Sequence, residues 1–184
     1  MTAAWTPPTK GQVAAANEMV AAIVGALTKD GRVHAETAVA GAARIAGTFL
    51  FRSFGFPATT APPGSPVLSD AANQLGPLVI QTFATALGRL GVAIENPDLS
   101  EPIPDDRQSR LTVLETQRAL EPALDRIARA HQLDLVAAAH ASALAAAILV
   151  QRTGSVLPPR LGAALAVYGV VEGSKTMPAP LAPE

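Results

Sequence analysis

The stretch 134–152 has seventeen residues between its flanking charges and no ionised side chain among them. Stepped at the ~100° per residue of a helix, Leu135, Val136, Leu144, Ile148, Leu149 and Val150 spread around the whole circumference. No face is left for water. The pattern therefore predicts a helix enclosed by others, and its eight alanines let those neighbours come close.

The remaining periodic stretches predict its companions. Over 11–29, Val13, Ala16, Val20, Ile23 and Leu27 form one apolar seam, and Lys29-Asp30-Gly31 ends the helix with a glycine free to take positive φ. Over 34–54, Ala38, Val39, Ala42, Ile45, Ala46, Phe49 and Leu50 fill a broad arc, with Glu36, Thr37, Gly41, Arg44, Thr48 and Arg52 opposite. That polar stripe is expected to be a solvent face thinned by small residues; the rival reading is a polar seam packed on another helix or subunit. A third helix starts at Ser69 or Asp70 and reaches Leu90 through Pro77. A fourth covers 107–131, with Asp105 and Asp106 placed to favour its start. A tight hairpin at 131–134, capped by Asp134, leads into the apolar helix, and a last helix runs from Arg160 to about Glu172 with small residues at Gly162, Gly169 and Gly173.

The expected fold is thus all-α: a single-domain bundle of about six helices around a buried central helix at 134–152. Residues 1–10 are expected to form a flexible N-terminal arm, 11–176 the domain, and 177–184 a disordered tail. Phe51, Phe54 and Phe56 are placed to plug one end of the bundle or meet a partner.

Composition narrows the chemistry. With no cysteine in 184 residues, disulfides, thiolate metal sites and cysteine nucleophiles are all excluded, which fits a cytoplasmic protein. No glutamate stands three residues before any of the three histidines, so a carboxylate-bridged di-iron bundle has no ligands, and no metal or other cofactor is expected. Phosphate-cradling glycine loops are lacking. A net charge of −1 gives no long-range attraction to nucleic acid. A membrane span is disfavoured too, because the apolar run is short of the ~20 residues required and contains His140 and Ser142.

Over 21–55, AAIVGALTKDGRVHAETAVAGAARIAGTFLFRSFG has a helix, a glycine corner, a small-residue helix and a terminal aromatic cluster. This resembles the DNA-binding end of TetR-type regulators, which would imply helix-turn-helix DNA binding. It departs from that pattern where turn residues should follow Ala46-Gly47, and only Arg52 in 48–54 could contact DNA. DNA binding is not the expected function.

Two functions remain in competition. The first is a non-catalytic role in self-association as a homodimer, through the small-residue faces of the second and last helices. The second is binding of an apolar small molecule, or an enzyme reaction upon it, in a pocket between helices. Its polar contacts would be His140, with Gln151 three turns along on the same side, and the Glu36/Arg44 stripe.

Overall fold

A computed structural model describes residues 4–57, 59–94 and 102–181. The first three residues of the arm, residues 95–101 of the acidic connector and the last three residues of the tail lie outside them. Six α-helices make up the fold: α1 Lys10–Leu27, α2 Ala35–Ser53, α3 Asp70–Arg89, α4 Val113–Ala130, α5 Leu135–Thr153 and α6 Pro159–Ser174. The all-α bundle expected from the pattern is what forms, and no strand occurs among the described residues.

Local chemistry fixes the ends. Thr9 and Thr112 build reciprocal capping boxes with Gln12 and Glu115, whereas Ser69 and Asp134 cap α3 and α5 through single side-chain acceptors. Asp105 and Asp106 do not start α4. They sit in a separate 3₁₀ turn, Asp105–Arg107, and α4 begins further on, behind the reciprocal capping box of Thr112 and Glu115. The α1–α2 corner is a two-residue turn with Asp30 and Gly31 both left-handed (φ 51° and 71°), held by paired backbone hydrogen bonds between Lys29 and Arg32. Gln132 takes the left-handed position after α4, and Leu133 N–H reaches back to Ala128 O, so the turn into α5 closes without a glycine.

The apolar helix at 134–152 is enclosed as expected, with eleven of its nineteen residues buried, including every one from Ala141 to Ala147. It is also long and apolar enough to cross a membrane by length and composition alone. Here it packs against α1, α2 and α3. It shares the centre with α2, of which sixteen of nineteen residues are buried and which lies between α5 on one side and α6 on the other. The reason is size. On α6, Gly169 and Gly173 face Ala40, Ala43, Arg44 and Gly47 of α2 so closely that a Cβ on Gly173 would sit 2.1 Å from Arg44 O, and one on Gly47 2.4 Å from Val170 O. The small-residue faces expected to join two protomers therefore join two helices of one chain.

Both ends of the chain are tied down where they are described. Residues 177–181, expected as part of a disordered tail, lie along residues 63–65 of the Pro-rich loop. Gly64 N–H donates to Met177 O, Met177 N–H donates to Ser65 O, and Met177 and Pro178 are buried. The same segment covers Phe51 and Phe56, which stack with Phe54 at centroid distances of 5.5–6.2 Å. At the other end, Trp5 anchors the arm, which was expected to be flexible, by a hydrogen bond to α3.

Two glycine substitutions separate backbone contact from helix propensity. Gly173→Ala is expected to destabilise the fold by roughly 1–3 kcal/mol through overpacking against Arg44 O. Gly25→Ala, in the interior of α1 with open space around it, is expected to stabilise by up to ~1 kcal/mol. Denaturant melts of both variants against wild type check the pair.

Candidate functional site

The arm, α3 and α5 meet at one side chain. Trp5, the sole tryptophan, donates its indole N–H to Thr82 Oγ1 at 2.8 Å, and Thr82 Oγ1 lies 2.7 Å from His140 Nδ1. Having accepted from Trp5, the threonine has one proton to give, and Nδ1 is closer than the alternative, Leu78 O at 3.2 Å. The imidazole therefore accepts at Nδ1 and carries its proton on Nε2. Burial lowers the His140 pKa below the ordinary histidine range, partly offset by the charge of Asp134, so the ring is neutral at pH 7. Nε2 makes no hydrogen bond among the described residues.

The ring borders a cleft of about 440 Å³ roofed by the arm. Its apolar wall comes from Leu50, Leu75, Leu78 and Val136. Polar groups on the rim are largely engaged: Thr9 caps α1, Gln12 donates to Ala137 O, and Asp134 accepts from Ala137 N–H. On the far side of Thr82 lies a smaller and almost wholly apolar hollow of about 210 Å³, walled by Pro8, Ala16, Ala86, Leu144 and Ile148. The arm thus lines both.

The other expected contacts do not join His140. Gln151 is exposed near the C-terminal end of α5, eleven residues or about 16 Å along the helix. Glu36 is 6% exposed and paired with Arg107 at 3.0 Å and His34 at 3.3 Å. Arg44 binds Glu172 at 2.7 Å and donates to Leu111 O. The polar stripe of α2 is consequently not a solvent face. It is a packed seam against α4 and α6, completed by the two-pronged pairing of Arg52 with buried Glu121 and by Gln117, which donates to Thr48 Oγ1 and whose buried Oε1 has no partner among the described residues. Within this seam the charges neutralise one another, and Arg44 and Glu172, which border a hollow of about 330 Å³, meet it as a closed pair.

The segment that resembles a helix-turn-helix forms one unbroken helix through Gly47, so no separate recognition helix exists there. No group of three or more metal-ligating side chains occurs among the described residues. Comparison with protein-family models, with curated proteins and with solved structures gives no match.

Trp5 and Thr82 were missing from the expected site. An isolated tryptophan in a Pro-rich arm is a visible signal that the arm docks, but nothing in the local pattern of α3 marks Thr82.

Removing one partner of the buried seam pair should be costly: Glu121→Ala is expected to lose about 3–5 kcal/mol of unfolding free energy in urea, because Arg52 is left charged and partly buried. The two histidines with lowered pKa give a second expectation. His34 is lowered chiefly by burial, with Arg110 and Arg107 acting in the same direction against Glu36. A group that binds protons more weakly when folded contributes stability that is complete above its unfolded pKa of about 6.5 and fades as pH falls below it. The thermal midpoint should therefore drop between pH 7.5 and 5.5, and less steeply in His140→Gln; an unchanged pH slope in that variant would show that the ring is not held neutral by the fold.

Proposed function

We propose that the protein binds a small, uncharged and largely apolar molecule in the cleft beneath the N-terminal arm, with His140 Nε2–H donating to an acceptor on the ligand. The observation that carries this is the pairing of a ligand-sized hollow with one committed donor. The volume lies in the range of ~300–1,000 Å³ usual for small-molecule sites, and four leucines, a valine and Trp5 supply its apolar wall. Neutral imidazole beside the carboxylate of Asp134 favours a carbonyl or ether oxygen over an anion. Thr82 fixes the ring orientation, and Trp5 couples that hydrogen bond to the arm. Binding, rather than catalysis, is proposed because Thr9, Gln12 and Asp134 are committed to caps and backbone partners. Self-association through the α2 and α6 faces has lost its motive, since those faces are spent on each other.

The test is titration with 6-propionyl-2-(dimethylamino)naphthalene, a neutral, largely apolar fluorophore with a carbonyl acceptor, followed by its own emission. Saturable one-site binding is expected, weakened up to about tenfold in His140→Ala, which is the worth of one neutral hydrogen bond. Leu78→Trp, which fills the cleft from its wall, should abolish it. Affinity unchanged in both variants would overturn the proposal.

A further inference from the structure

At the opposite end of α1 from His140 lies a larger hollow, about 890 Å³, between the α1–α2 turn and the loop before α4. Three cations on two separate segments converge on it, Lys29 and Arg32 from the turn and Arg110 from the loop, against one carboxylate, Asp30. Their backbones are fixed. Lys29 and Arg32 exchange hydrogen bonds of 2.9 and 3.0 Å across the turn, and Arg110 N–H donates to Thr37 Oγ1 at 2.9 Å, which pins the loop to α2.

Shared position sets these three apart: all of them line one hollow. Arg44, Arg52, Arg107 and Arg129 are each matched with Glu172, Glu121, Glu36 and Asp125. Lys29, Arg32 and Arg110 make no ion pair among the described residues, as is also true of Lys10, Arg89, Arg118, Arg126, Arg152 and Lys175, but these three stand together at one hollow in a chain that as a whole is slightly acidic. Backbone donors of α2 are not the attraction, because His34 already caps that helix by accepting from Thr37 N–H and meeting its hydroxyl. The floor is apolar, from Leu27, Val33 and Leu111.

We infer that this hollow binds a soluble organic phosphate, its phosphate held by Lys29, Arg32 and Arg110 and its carbon portion laid on Leu27, Val33 and Leu111. Two guanidinium groups and an ammonium suit a dianion with several acceptor oxygens better than a single carboxylate. The apolar floor and the volume call for more than an inorganic ion. This site is independent of the cleft at His140.

Calorimetric titration of the full chain at low salt with hexyl phosphate, hexanol and inorganic phosphate tests the assignment. Hexyl phosphate is expected to bind saturably and more tightly than either of the others, since each lacks one half of the recognition. Arg110→Gln and Lys29→Gln should each weaken it by roughly tenfold or more, as expected for loss of a charge-assisted contact. His140→Ala should leave it unchanged. Binding should also raise the His34 pKa in a proton NMR titration, because an anion offsets the field of Arg110 there. Equal affinity for hexyl phosphate and hexanol, or wild-type affinity in both charge variants, overturns the inference. So does sedimentation with phosphatidylserine vesicles, but not phosphatidylcholine vesicles, by a protein that ignores hexyl phosphate: the cations would then serve a lipid surface.

Discussion

Everything in this bundle depends on how closely α2 and α6 approach. With Gly169 and Gly173 meeting Gly47 and the Arg44 carbonyl, the two backbones touch where side chains would ordinarily separate them. Helices of alanine and glycine bury little area per residue, so cohesion has to come from many short contacts at close range. Once α6 and α5 have packed on it, α2 keeps little water-facing surface, at Arg44, Arg52 and Ser53. Its polar side chains must then find partners inside the protein. That requirement explains why Arg44, Arg52 and Glu36 are all in ion pairs and why Thr48 shares hydrogen bonds with Gln117 and Arg44 O.

Much of this was legible in the pattern of residues. Helix count, the caps at Ser69 and Asp134, the turn at Asp30-Gly31 and the enclosed helix at 134–152 rest on local rules, and local rules suffice for them. The polar stripe of α2 was not legible. Its partners Glu172 and Glu121 stand 128 and 69 residues away, and no periodicity within 34–54 distinguishes a stripe facing water from one facing paired charges. Gly169 and Gly173 announced a close approach without naming the surface approached.

The candidate site divides along the same line. His140 stood out as the one ring on an apolar helix, but the environment that gives it a defined tautomer comes from Thr82, 58 residues earlier, and from Trp5, 77 residues before that threonine. Gln151, Glu36 and Arg44 were grouped with it because they are polar on apolar helices. Two of them are spent on structural pairing, and Gln151 lies too far along α5. Each end of α1 thereby carries a hollow of its own character: one neutral, with a single donor, the other rimmed by cations that the seam left unmatched.

The span between α2 and its covering helix also governs how the protein can be made. Arg44 and Glu172 are 128 residues apart, and translation at ~5–20 residues per second inserts that interval in roughly 6 to 25 seconds. For that time the glycine groove of α2 stands bare on a nascent chain that has already emerged, and native assembly waits upon the sixth helix. The most enclosed element of the finished molecule is thus among the longest unprotected during its synthesis.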